Sequence, residues 1–226
     1  MKKKFGACFL VATPIGNPRD ITLRAIETLS EADIIICEEY RRGTTLLKRI
    51  GVQPRELLTL NEHNEKDIAM DVVQKTLKGS NVALISDHGT PVFEDPGQYL
   101  IGLCLDMGIK VVPIPGPSSL MAAISVSNHK LDSFVYGGFL SRDKNIRKSQ
   151  LIRLKGTNLP VILMDTPYRM NQILDLVEEV FGHRNNITLA CNISHPDESI
   201  YQGELEIVRN QIKQKKAEFI LIIHRR

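Results

Sequence analysis

The stretch Val82-Ala83-Leu84-Ile85, followed by Ser86-Asp87-His88-Gly89-Thr90-Pro91, leaves this chain few folds to adopt. Four apolar residues bounded by turn formers read as a strand buried on both faces, and such strands belong in parallel sheets covered by helices. Asp87 ends the strand, Gly89 allows a backbone that other residues resist, and Pro91 and Pro96 fix φ and remove donors. A stiff exposed loop therefore follows. Helical spacing resumes after Pro96, with Asp95 as the expected cap, Pro96 at the first position, and Tyr99, Leu100, Leu103 and Met107 as the apolar face. Open α/β sheets are built from this strand, loop and helix unit, and they bind ligands at the loops on the carboxyl ends of their strands.

The unit recurs upstream and downstream. Residues 5–12 read as a first strand closed by Thr13-Pro14-Ile15-Gly16-Asn17-Pro18, after which Ile21, Leu23, Ile26 and Leu29 recur at helical intervals. Residues 33–37 read as a second buried strand running into a charged loop, Glu38-Glu39-Tyr40-Arg41-Arg42-Gly43, which is either a solvated turn or a functional one. Leu57 to Leu60 suggest a third strand, and Ile68, Val72, Val73 and Leu77 a helix. At Lys110-Val111-Val112-Pro113-Ile114-Pro115-Gly116-Pro117-Ser118-Ser119 the prolines are expected to halt a strand. Ser118 then caps a helix carrying Leu120, Met121, Ile124 and Val126, whose start would favour an anion. The plain alternative for this segment is a rigid connector.

Beyond Asn128 the texture changes, which divides the chain into an N-terminal α/β domain, 1–116, and a C-terminal α/β domain, 117–226. In the second, strands are expected over 134–140, 161–164, 187–193, 199–205 and 218–224, with helices over 146–154 and 168–180. Residues 141–156 carry Arg142, Lys144, Arg147, Lys148, Arg153 and Lys155 against a single acid, Asp143. Such a run is either a solvated helix face or a contact with a phosphate backbone.

Composition narrows the classes further. A formal charge of +3 over 226 residues is far from the excess of a protein that holds nucleic acid by charge alone, so any RNA contact is local. Cys8, Cys37, Cys104 and Cys191 are scattered in apolar runs without a CxxC pair and read as buried free thiols, which suits a reducing cytoplasm. Lys2-Lys3-Lys4 before Phe5 to Ala12 imitates a signal peptide, but the apolar part is short and leads into a patterned loop, so a strand is expected there. No run approaches the roughly eighteen apolar residues of a membrane span. GxGxxG, GxxxxGKS, GxSxG, HExxH and metal-spaced Cys/His clusters are all missing, and no metal is expected.

Taken together, Thr13-Pro14-Ile15-Gly16-Asn17, Ser86 to Pro91 with Asp95-Pro96-Gly97, and Pro113-Ile114-Pro115-Gly116-Pro117-Ser118 resemble the tetrapyrrole methylase superfamily. The closer likeness is to its branch of ribosomal RNA small subunit methyltransferase I proteins. Gly138-Phe139-Leu140, Thr166-Pro167-Tyr168-Arg169 and Glu218-Phe219-Ile220-Leu221 follow in that branch's order, so the likeness spans nearly the whole chain. The resemblance implies a two-domain α/β fold, each domain a mixed sheet with flanking helices, with S-adenosylmethionine in a cleft between them, and usually a homodimer. It places Ile15, Gly89, Thr90, Phe93, Ser118 and Ser119 around the cofactor, with Thr166, Asn192 and Ile193 from the second domain. The implied reaction is methylation of a cytidine ribose 2′-hydroxyl in small-subunit rRNA, in the cytoplasm. His88, Glu39, Glu94 and His195 are the candidate proton acceptors, and Arg142, Lys144, Arg147 and Lys148 the candidate RNA contacts.

The chain departs from the branch pattern at several places. It has His88 where a small residue is usual, Glu38-Glu39-Tyr40-Arg41 for Glu-Asp-Thr-Arg, and Asp165-Thr166-Pro167-Tyr168-Arg169 for Glu-Ser-Pro-His-Arg. Asn192 and His195 stand where glutamate and lysine are favoured, and the extra C-terminal segment of many members is not found after Arg226. Two alternatives therefore stay open: a methyltransferase for a small molecule such as a tetrapyrrole, and a cofactor-sensing or RNA-binding module that no longer transfers methyl groups.

Overall fold

The computed structural model describes residues 5–213 and 216–225. The basic start of the signal-like segment, Lys2 to Lys4, lies outside them. The chain divides into two compact units, Met1–Ser118 and Ser119–Arg226.

The first unit carries β1 (Ala7–Val11), α1 (Leu23–Glu31), β2 (Ile34–Cys37), α2 (Tyr40–Arg49), β3 (Glu56–Thr59), α3 (Glu65–Leu77), β4 (Val82–Ile85), α4 (Gln98–Asp106) and β5 (Lys110–Ile114). Its sheet runs β3-β2-β4-β1-β5 with every pairing parallel. Alternate residues of the apolar strands face opposite helical layers, which is why β2 and β4 are apolar throughout. Ile34, Ile36, Val82 and Leu84 pack with Val72, Leu100 and Cys104 of α3 and α4. Ile35, Cys37, Ala83 and Ile85 pack with Ala25, Leu29 and Leu47 of α1 and α2.

The second unit carries α5 (Ser119–Ser125), β6 (Val135–Gly138), α6 (Lys144–Gly156), β7 (Val161–Asp165), α7 (Met170–Phe181), β8 (Asn186–Cys191), β9 (Ser199–Glu204), α8 (Leu205–Gln211) and β10 (Phe219–Ile223). Its sheet runs β6-β7-β10-β8-β9; β6 is parallel to β7 and the other pairings are antiparallel. The mixed character expected of both sheets is thus confined to this one, because helical crossovers in the first unit return each strand in the same direction. Leu151, Ile173, Leu174 and Val208 cover one face, and Ala123 of α5 packs with Ile162, Ala190, Ile220 and Ile222 on the other.

Several local expectations are corrected. Tyr40 to Gly43 is not loop but the first turn of α2, which buries only Gly43 and Leu47. Asp95 and Pro96 do not open α4. Gly97 is its N-cap residue with φ 134°, and Glu65 Oε1 caps from α3 by accepting from Gly97 N and Tyr99 N, both at 2.9 Å. Leu100 and Cys104 form its buried face, while Tyr99 and Met107 are exposed. Leu23 in α1 is likewise exposed, and Met121 and Val126 stay outside the Leu120, Ala123 and Ile124 face of α5. Pro113 does not halt β5, since an edge strand can spare its N–H. Leu205 begins α8 rather than ending β9. All four cysteines are free and buried.

Candidate functional site

Three loops of the first unit interlock where β1, β4 and β5 end. Thr13 N donates to Gly89 O at 2.8 Å and Gly89 N returns the bond to Thr13 O at 3.1 Å, while the fully buried Thr13 hydroxyl donates to Ser86 O at 3.0 Å. Gly89 sits at φ 78°, and a Cβ there would come within 3.0 Å of Ile15 Cγ2 and 3.5 Å of Pro117 O. The Gly89 amide is therefore already used, so what this glycine supplies is conformation and space. Gly116 is equally close, its Cβ position lying 3.0 Å from that of Ala12.

Val92 sits at φ 72°. For a β-branched residue this is a true outlier, of the kind that costs about 1–3 kcal/mol and collects at functional loops. Its side chain is buried with Leu84 and Leu100, which offsets the strain and fixes the loop that presents Thr90 and Phe93. Phe93 is half exposed, and the Thr90 hydroxyl donates to Pro117 O at 3.4 Å. Ser118 ends the first unit, and Ser119 opens a helix of seven residues. Two turns make a weaker dipole than the sequence suggested.

The ends of the neighbouring strands β2 and β4 hold a charged cluster. Asp87 Oδ1 accepts from Glu39 N at 3.3 Å, Arg42 Nε lies 2.9 Å from Glu39 Oε2 and 3.4 Å from Asp87 Oδ2, and Arg42 Nη1 approaches both ring nitrogens of His88 at 3.1 and 3.2 Å. A contact equidistant from both nitrogens lies over the imidazole face, since in the ring plane it would collide with Cε1. Burial pushes the Asp87 carboxyl up, against the opposing Glu39 amide and Arg42 charge. Glu38 is raised too, by burial and by the charges of Asp95 and Asp87. Of the four candidate proton acceptors, His88 and Glu39 are thus brought together through Arg42. Glu94 lies further along the same loop, and His195 belongs to the second unit. Asp87 and Arg42 are not among the site residues expected from the sequence, although both stand inside the motifs quoted above.

In the second unit Thr166 follows β7, its amide donating to Asp165 Oδ1 at 2.7 Å. Asn192 and Ser194 adopt φ 49° and 66° after β8. The Asn192 side chain secures that turn, with Nδ2 donating to Asp197 Oδ2 at 2.6 Å and Oδ1 accepting from Glu218 N at 3.0 Å. Ile193 packs on the α5 side of the sheet, and the His195 amide closes the turn onto Asn192 O at 2.9 Å.

The basic stretch divides by role. Arg147 is 8% exposed and turns inward, its Nη1 donating to Ser141 O and Arg142 O at 3.1 and 3.0 Å. It is a structural cation, contrary to its place among the RNA contacts, because a four-residue repeat on α6 puts it with Leu151 on the buried face. Lys148 pairs with Glu179, and Lys155 donates to Val180 O at 2.6 Å. Arg142 and Lys144 are exposed.

No group of three or more potential metal-ligating side chains was found among the described residues. No helix among them is long and apolar enough to cross a membrane.

Residues 7–208 match the family model of the tetrapyrrole (corrin/porphyrin) methylases. The ribosomal RNA small subunit methyltransferase I of Mesorhizobium japonicum is 40% identical over 199 residues, covering 88% of this chain and 67% of that protein. That of Thermotoga maritima is 35% identical over 211 residues, covering 93% and 94%. Among solved structures, a Thermus thermophilus uroporphyrin-III C-methyl transferase complexed with S-adenyl homocysteine superposes with a TM-score of 0.63 at 16% identity, covering 97% of both chains. The chain therefore belongs to the tetrapyrrole (corrin/porphyrin) methylases, in the branch of the ribosomal RNA small subunit methyltransferase I proteins.

Proposed function

We propose that this chain is an S-adenosylmethionine-dependent methyltransferase acting on small-subunit rRNA, at the 2′-hydroxyl of a cytidine ribose. The interlocked loops after β1, β4 and β5 carry the reading, in a chain that keeps 35–40% identity with rRNA methyltransferases over most of its length. They suit the cofactor, because at Gly89 a side chain would fill the space between Ile15 and Pro117. S-adenosylmethionine supplies an already activated methyl group, so the protein's work is mainly alignment and removal of one proton.

In this reading Ile15, Gly89, Thr90 and Phe93 hold the cofactor from the N-terminal domain, 1–116, together with Ser118 and Ser119 at the start of α5. Thr166, Asn192 and Ile193 are the further cofactor contacts, from the C-terminal domain, 117–226. His88 is the first candidate to accept the hydroxyl proton. Its ring is exposed beside Arg42 and Asp87, whereas both Asp87 oxygens are engaged by Glu39 N and Arg42. Arg42 would also oppose negative charge developing at the acceptor oxygen. Glu39, Glu94 and His195 rank behind it, and Arg142 with Lys144 would meet the RNA backbone. The enzyme would work as a cytoplasmic homodimer.

Calorimetry tests the cofactor half. The parent should bind S-adenosylmethionine and S-adenosylhomocysteine without added metal. Gly89→Val should abolish both binding heats while the protein stays folded, since valine resists φ 78° and would press on Ile15. Parental affinity in Gly89→Val would remove this loop from the site.

A further inference from the structure

We infer that Phe139 is a stacking platform for one unstacked base of a single-stranded RNA segment, with Arg142 and Arg153 taking the adjoining phosphates. The inference rests on the rRNA reading and deepens it, by naming how the second unit grips its substrate.

Phe139 is 44% exposed at the end of β6. Gly138, at φ 57°, turns the chain there, and the next residue, Leu140, is buried. The segment that follows is held from all sides. Arg169 Nη2 donates to Leu140 O at 2.9 Å and to Ser141 O at 3.0 Å, Arg147 Nη1 reaches Ser141 O and Arg142 O, and Ser141 N donates to Gln150 Oε1 at 2.8 Å. Asp165 Oδ2, 3.5 Å from Arg169 Nη2, offsets part of the buried positive charge. Asp143 then caps α6 by accepting from Asn145 N and Ile146 N, each at 2.9 Å. The buried Arg147 and the partly buried Arg169, spent on three successive carbonyls, make a rigid mount, and what the mount presents is Phe139 and the exposed Arg142. A platform held still before binding loses little entropy on contact.

The surroundings fit a nucleotide. A cavity of about 320 Å³ opens beside the mount, lined among others by Leu140, Gln150 and Arg153, which is the lower end of the size of small-ligand sites. The side chains of Arg142 and Arg153 form no ion pair among the described residues. An exposed aromatic on the same mount as Arg142, with Arg153 lining the neighbouring cavity, is a combination suited to single strands, by stacking a base and neutralising phosphates. A second copy of this chain is the poorer occupant, because a two-fold contact through Phe139 would set the arginines of one copy against those of the other.

The chain has no tryptophan, so Phe139→Trp in the full-length protein installs a single reporter at the platform. Single-stranded RNA should quench its emission, and polyphosphate, which carries charge without bases, should not. Phe139→Ala should weaken RNA binding about ten- to a hundredfold, the usual effect of losing one stacked base, and Phe139→Tyr should restore most of it. Arg142→Ala with Arg153→Ala should flatten the salt dependence of binding. Calorimetry with S-adenosylhomocysteine serves as the folding control for each variant. Equal quenching by polyphosphate, parental RNA affinity in Phe139→Ala, or dissociation of a dimer by that variant would each overturn the platform, while leaving methyl transfer by the parent intact. A parent that binds the cofactor but neither binds nor methylates small-subunit RNA would instead overturn the rRNA reading itself.

Discussion

His224 shows how a single residue can tie this fold to pH. It follows β10 in a buried position, its Nε2 lies 2.9 Å from the Thr188 hydroxyl, and its ring stacks on His129 with centroids 4.0 Å apart. Burial first, and the charge of His129 second, push its pKa down to about 4. The unfolded chain takes up this proton near pH 6.5 and the folded chain only near 4, so stability should fall as pH drops through that window and level off below it. The loss is on the order of 3 kcal/mol. Urea denaturation at pH 7 and pH 4.5 would check it, with His224→Gln losing distinctly less than the parent between the two. His88 makes the contrasting case of an exposed imidazole with a chemical role. If it accepts the proton, His88→Ala should lower kcat on the order of a hundredfold and leave cofactor affinity unchanged.

At the scale of elements, Gly43 links helix packing to the charged cluster. A Cβ there would lie 2.6 Å from Cys37 Sγ and 2.8 Å from Cys37 Cβ, so α2 approaches β2 only because the residue is glycine. Helix propensity alone favours alanine by up to about 1 kcal/mol, but overpacking against a fixed Cβ costs about 1–3 kcal/mol. Gly43→Ala should therefore be destabilising, read as a lower denaturation midpoint with an unchanged slope. It should also reduce turnover, because Arg42 would be displaced from Asp87 and His88. This close packing explains why α2 was not legible in the sequence. With Gly43, Thr44 and Thr45 after a charged run, the segment has few helix signals, and its register is set by contact with the strand. The α4 cap was hidden for a related reason, since the capping carboxylate of Glu65 comes from 32 residues away. Arg147 read as surface charge because nothing in a basic run tells which cation turns inward to hold carbonyls.

For the whole molecule, most of the order of strands and helices could be read in advance, because strands such as β2 and β4, buried on both faces, stand out from the polar segments around them. The alternation of Ile34 and Ile36 against Ile35 and Cys37 between two helical layers is the physical content of that pattern. The loops after β1, β4 and β5 were legible as shaped loops through Gly89 and their prolines. The strain at Val92 and the mutual bonds of Thr13 and Gly89 were not, since both arise only when distant segments meet. The measurement that bears most directly on the central claim is nucleoside mass spectrometry of small-subunit rRNA, taken from ribosomal particles incubated with S-adenosylmethionine and either the parent or Gly89→Val. The account predicts a ribose-methylated cytidine with the parent and none with the variant. Particles left unmethylated by parent protein that binds S-adenosylmethionine would contradict it.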